Sequence, residues 1–346
     1  MKGVVFANQG AEPKVVDDLE KPSPGADQLL VKSIWTAINP VDNFMAAYGL
    51  LVVGWPLGLG VDAAGIVVEA GSEATSKYGF KVGDGVFGCT RLGTLGYNGA
   101  QEYLLFDAHV TFKKPDNISH VEAVTLGVAG DTACLGLFDG LKLDLPDPKN
   151  LPASRDEWVI LLGGASSVGK AAIQLAKASG YKVVASCSSK SAAGVKELGA
   201  VPFDYKQSLE DQVKTVLDIT GGDVARIYDA VAGNDPVLAK ELFKTSKSTE
   251  KLFATTNDWT GITDFEGGKT YLVQLGGVGR PEAADLNGKI AKYIPVITGL
   301  VESGKLVPSE YEVIGDGGFD AAVKAYHHQL SGAGGSKKVV VKIQDE

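Results

Sequence analysis

From residue 158 onward, short apolar runs alternate with segments whose apolar residues recur at helical spacing. Trp158–Leu162, "WVILL", has no polar position, the pattern of a strand covered on both faces. Residues 170–179 read as a helix with Ile173, Leu175 and Ala176 turned inward, and Gly180 reads as a left-handed cap. Lys182–Cys187 predicts the next parallel strand, and residues 192–198 a helix closed by Gly199. "VPFDY", "RIYDAV", "KLFATT" and "TYLVQLGG" supply further strands. Strand, glycine turn, helix and strand in repetition predict a parallel α/β sheet.

The first half has a different rhythm. Residues 49–99 break short apolar runs with glycines, as β-rich domains with tight corners do. Strands are expected at 4–6, 28–33, 65–69 and 100–106, and helices over 120–138 with a break near 127–130. The Pro-, Asp- and Lys-rich stretch "LKLDLPDPKNLPASRDE" marks the approach to a second domain. The tail "SKKVVVKI" reads as a strand that has no following helix and returns to the first domain.

Composition narrows the class. The 346 residues suit one large unit or two medium domains, and 45% hydrophobic with 22% charged residues is an ordinary globular balance. A net charge of -9 argues against broad nucleic-acid or membrane-surface binding, which needs clustered Lys and Arg. The first twenty residues carry Asn, Gln, Glu and Lys where a signal peptide is apolar, and no window reads as the roughly 18 apolar residues of a membrane span. Cys89, Cys134 and Cys187 are odd in number and far apart, so neither a disulfide framework nor a metal clip is expected, and a reducing, cytoplasmic location follows.

The candidate chemistry centres on "LLGGASSVGKAAIQLAK". Gly164, Gly169 and Lys170 have the spacing of an ATP-binding P-loop, but that motif needs Ser or Thr after its lysine to ligate magnesium, and Ala171 stands there. The same residues fit a dinucleotide turn. Gly164 and Gly169 take the outer places of G-x-G-x-x-G, and Ser166 takes the middle one, where its hydroxyl is expected to donate to a phosphate. Ser167 and Val168 open the helix, so their amides face the pyrophosphate. NAD-binding turns place Asp or Glu at the end of the second strand, whereas "VVASCSSKS" has no acid. Ser188, Ser189 and Lys190 offer hydroxyls and a cation, which predicts NADPH; a solvated polar loop is the alternative.

These motifs, with "INPVDNFMAAYG", "PLGLGVDAAGIVVEAGS", "FKVGDGVFG" and "EAVTLGVAGDTA" in the first half and "ELGAVPFDY" in the second, resemble the medium-chain dehydrogenase/reductases, most of all fungal quinone-oxidoreductase-like proteins and trans-acting enoyl reductases. The resemblance implies an α/β protein with a GroES-like β-rich catalytic domain at 1–128 and 296–346 and a Rossmann, doubly wound NADPH-binding domain at 129–295. Zinc-binding members use a Cys and a "GHE" segment where this chain has Asn39 and the "GVD" of residues 60–62, and His109, His120, His327 and His328 form no cluster, so no metal is expected.

The same resemblance implies Tyr48 as proton donor or oxyanion partner, with packing or a cofactor lid as the alternative, and Thr132 beside the nicotinamide. Asn39 and Asp42 are expected near the cofactor, Tyr205 by the adenosine phosphate and Lys338 on the 2'-phosphate; each has an alternative as a cap, a packed aromatic or a surface lysine. The activity implied is metal-free, NADPH-dependent reduction of an electron-poor C=C bond in a small molecule or acyl thioester, presented in one version by a synthase. Quinone reduction is the neighbouring alternative, and an NADPH-binding sensor or partner without turnover is the alternative of another class. A monomer and a homodimer both remain open.

Overall fold

The computed structural model describes residues 1–232, 237–257 and 267–346. The chain divides into two compact units: 1–128 with 275–302 and 308–346, and 129–274 with 303–307. The return to the first unit comes at 275, where the sequence reading set it at 296. The helix Ala284–Glu302 belongs to the first unit, tied to its N-terminal part by the Asn117 side chain, which donates to the Val301 carbonyl (2.9 Å).

The first unit is β-rich. Its larger sheet runs Tyr311–Val313, Lys338–Lys342, Gln28–Ile38, Asp62–Ala70, Gly85–Cys89, Phe112–Lys113, and Tyr103–Asp107 also pairs with Gln28–Ile38. The eleven-residue strand is long enough to hold Tyr103–Asp107 along its first half and the C-terminal strand along its second. The tail thus enters the first unit antiparallel, with Val340 opposite Ala37. A smaller sheet joins Lys14–Val16, Gly3–Phe6 and Leu57–Gly58. Leu29, Val31, Val67, Val86, Leu104 and Phe106 fill the core, each side chain worth about 1.5–3 kcal/mol of burial.

The second unit contains six parallel strands in the order Val201–Asp204, Lys182–Cys187, Trp158–Leu162, Arg226–Asp229, Lys251–Thr255, Gly268–Leu272. Strand order reverses between Trp158–Leu162 and Arg226–Asp229, and in such sheets ligands bind at the carboxyl ends beside that reversal. Ile160, Val184, Ile227 and Phe253 pack against Val216, Leu242 and Phe243, so the continuous apolar runs are explained by cover on the sheet. The helix Ser167–Ala178 buries Ile173, Leu175 and Ala176, and Gly180 follows it at φ 87°.

One expectation about 120–140 changes. His120–Gly140 is long and apolar enough to cross a membrane, with mean hydropathy 1.4, contrary to the sequence reading; 78% of that window is buried within the protein. The helical break also falls at 124–126 rather than at the glycines: His120–Ala123 is followed by Gly127–Cys134 and then by a π-helix, Leu135–Gly140.

Candidate functional site

The glycine turn lies where strand order reverses. Trp158–Leu162 leads into Gly163 and Gly164, whose amides donate to Ser186 Oγ and to the Ser186 carbonyl, both at 2.8 Å. This joins the turn to the end of the next strand. Ser166 is the N-cap of Ser167–Ala178: its Oγ accepts from the Gly169 amide (2.9 Å) and its hydroxyl donates to the Gly163 carbonyl (2.8 Å). The hydroxyl expected on a phosphate is therefore used within the turn. Gly169 is required by close approach, since a Cβ there would sit 2.1 Å from the Gly163 carbonyl oxygen. By position, Ser167 and Val168 have amides without an intrahelical acceptor, directed with the helix dipole toward an anion.

At the end of Lys182–Cys187 the chain turns through Ser188, Ser189 and Lys190. Ser189 and Lys190 are exposed, and Ser188 lies within hydroxyl contact of Ser191 (3.3 Å). Tyr205, 53% exposed, follows the neighbouring strand, and its amide donates to the Cys187 carbonyl (3.3 Å). The structure thus gathers Gly164, Ser166, Ser167, Val168, Gly169, Ser188, Ser189, Lys190 and Tyr205 at the carboxyl ends of adjacent strands. Thr132, in the same unit, is 8% exposed, and its carbonyl accepts from Tyr228 Oη (2.8 Å).

In the first unit, Asn39, Asp42 and Lys338 form an internal network rather than open cofactor contacts. Asn39 precedes the helix Pro40–Tyr48, and its amide donates to Asp42 Oδ2 (2.8 Å), while the Gly60 amide donates to Asp42 Oδ1 (3.0 Å). Lys338 is 5% exposed. Its Nζ donates to Asn39 Oδ1 (2.5 Å) and pairs with Asp62 Oδ2 (2.8 Å). Asn39 Nδ2 donates to the same Asp62 oxygen (2.9 Å), and the Val128 amide to Asp62 Oδ1 (2.7 Å). The reading of Lys338 as a 2'-phosphate ligand, and equally as a surface lysine, is corrected by this burial: a phosphate would have to displace Asp62 and Asn39. Burial also pushes the Asp42 carboxyl up to about 7, against the lowering effect of its two amide donors.

Tyr48 ends its helix 65% exposed, its ring stacked on Phe44 at 6.3 Å between centroids. It therefore presents an accessible phenol on the first unit. Among the described residues, no three His, Cys, Asp or Glu side chains assemble into a group that could hold a metal ion. Sequence reading missed Gly163, Ser186, Asp62 and Tyr228; the glycine doublet and the acid of "GVD" were the visible signals for the first and third.

A Rossmann-type sheet with a glycine turn at its reversal point defines a dinucleotide-binding oxidoreductase class. Residues 25–116 match the alcohol dehydrogenase GroES-like domain. The chain is 33% identical to trans-enoyl reductase TOXD of Cochliobolus carbonum over 62% of its own length and 75% of that protein. It is 32% identical to trans-enoyl reductase milB of Cordyceps militaris over 69% of its own length and 66% of that protein, slightly under two thirds of the relative. An alcohol dehydrogenase superfamily protein from Novosphingobium aromaticivorans superposes with a TM-score of 0.80 at 25% identity, covering 99% of this chain and all of the other. The chain belongs to the medium-chain dehydrogenase/reductase family, whose oxidoreductases use nicotinamide dinucleotides.

Proposed function

We propose that this protein is an NADPH-dependent reductase of a C=C bond conjugated to a carbonyl, with an enoyl thioester as its substrate class. The observation that carries the reading is the glycine turn at the sheet's reversal point, followed on the next strand by Ser188, Ser189 and Lys190 instead of an acid. The likeness to proteins named trans-enoyl reductases supports the reaction class and a thioester carried by a separate synthase.

When bound, the nicotinamide would be the hydride source for the β-carbon. The chain's residues do the rest. The Ser167 and Val168 amides would hold the pyrophosphate, and Ser188, Ser189 and Lys190 would hold the 2'-phosphate, with Tyr205 beside the adenosine. Tyr48 acts at the enolate in one of two ways: it donates a hydrogen bond to the oxygen on which charge collects, or it gives its phenol proton to the α-carbon and, being 65% exposed, regains one from solvent. Asn39 and Asp62, which stand where zinc-binding relatives carry ligands, bond the Lys338 ammonium instead, which supports hydride transfer without a metal. We assign the domains as a GroES-like catalytic unit and a Rossmann cofactor unit.

The test is consumption of NADPH and of NADH against enals, enones, enoyl thioesters and quinones, with the products identified. Saturated thioester formed with NADPH supports the reading. Turnover confined to quinones would replace it with quinone reduction, and tight NADPH binding without any turnover would replace it with a sensor or partner role.

A further inference from the structure

Tyr228 stands one residue from the end of Arg226–Asp229, opposite Leu161, on the strand that borders the reversal of the sheet. It is among the largest fully buried side chains of the chain. Its hydroxyl donates to the backbone carbonyl of Thr132, 96 residues earlier, at 2.8 Å. Thr132 lies in Gly127–Cys134, and directly after Cys134 the winding changes from α to π.

Three features meet at this point. In an α-helix the partner of the Thr132 carbonyl is the amide of the residue four places on, which is residue 136. That residue is Gly136, and a Cβ on it would lie 2.3 Å from Tyr228 Cζ. The phenol therefore fills the space a side chain at 136 would need, while its hydroxyl bonds the carbonyl one turn earlier. A side chain entering the helical hydrogen-bond ladder distorts the winding, and π turns gather at functional sites. Burial pushes the phenol well above its ordinary value, so it stays an O–H donor throughout the working pH range.

We propose that Tyr228 is a positioning residue for the nicotinamide end of the cofactor site: by holding the Thr132 carbonyl it sets where the α-to-π change falls and so directs Thr132 toward the carboxyl ends of the central strands. This rests on the dinucleotide site of the proposed function and on the placement of Thr132 beside the nicotinamide that the family resemblance implies. The adenosine end is held elsewhere, by residues following Lys182–Cys187, and the two ends can be read separately.

The experiment measures the Kd of NADPH and of 2',5'-ADP, together with kcat for NADPH oxidation, in wild type and Tyr228→Phe. The variant keeps the ring beside Gly136 and removes only the donor. Loss of one hydrogen bond to a buried carbonyl predicts roughly a tenfold loss in NADPH affinity or kcat, with 2',5'-ADP affinity within about twofold of wild type. Amide exchange over residues 132–140 should accelerate while the Trp158–Leu162 strand stays protected. Gly136→Ala approaches the contact from the other side and should give the same selective loss with the hydroxyl present. Equal weakening of both ligands, or no change in NADPH affinity, kcat and exchange, would overturn the proposal. Failure of the cofactor reading looks different: wild type would bind 5'-AMP as tightly as 2',5'-ADP, and the same comparison would then be scored with NADH and 5'-AMP.

Discussion

Replacing Lys338 by Met should destabilise the first unit strongly. The change removes the ammonium that lies 2.8 Å from Asp62 and 2.5 Å from Asn39, and leaves the Asp62 carboxylate, 0% exposed, with only the Asn39 Nδ2 and Val128 amide donors. At that separation the gross attraction is about 6 kcal/mol for an effective dielectric of roughly 20. Much of it offsets the desolvation of the two ions, and breaking such a pair typically costs about 3–5 kcal/mol. The two remaining amide donors place Lys338→Met near the lower end, at ~3 kcal/mol. Asp62→Asn should cost a similar amount, because it strands the ammonium. The double variant removes both charges, so its loss should fall about 2 kcal/mol or more short of the sum of the single losses. Calorimetric melting reads this directly: at roughly 2–4 °C per kcal/mol for a unit of this size, each single change lowers the transition by about 6–12 °C. Single losses below ~0.5 kcal/mol, or strictly additive losses in the double variant, would refute the claim that the pair is one coupled buried network.

Asp42 gives a pH signature with a defined sign. Its carboxyl titrates near 7 when folded, against 3.8 in the reference state, so the folded protein binds the extra proton and stability falls as pH rises from about 4 to 7. Melting between pH 5 and 8 should show the first unit gaining stability toward pH 5, and Asp42→Asn should flatten that trend; an identical slope in both proteins counts against the assignment. Gly169→Ala, with its Cβ 2.1 Å from the Gly163 carbonyl oxygen, should strain the turn by about 1–3 kcal/mol and weaken NADPH at least tenfold; an unchanged Kd would remove the turn from the cofactor site. Tyr48→Phe should cut turnover by roughly 10²-fold with NADPH binding unchanged, and full activity in the folded variant would exclude the phenol as proton donor.

The second unit was largely legible because its information is local. Trp158–Leu162 is an uninterrupted apolar run leading into a glycine turn, and Lys182–Cys187, with the apolar Val183, Val184 and Ala185 at its centre, starts just after Gly180. Gln28–Ile38 was read short because irregular pairing between Leu30 and Val31 and between Ser33 and Trp35 disturbs the alternation, and buried Ser33 and Thr36 look like loop residues. Lys338 had no local mark of burial, since its partner Asn39 lies 299 residues away. Tyr228 and Thr132 are likewise joined only by the folded sheet, and nothing in "GVAGDTACLGLF" signals a change to π winding.

The central claim is reduction of an activated C=C bond by NADPH, and the most direct measurement follows a short 2-enoyl thioester with NADPH or NADH and identifies the product. The expected product is the saturated thioester, formed with a clear preference for NADPH that is abolished or inverted when Ser188, Ser189 and Lys190 are replaced by Ala. Equal use of NADH, or NADPH oxidation that leaves every enoyl and enone substrate unreduced, would contradict it.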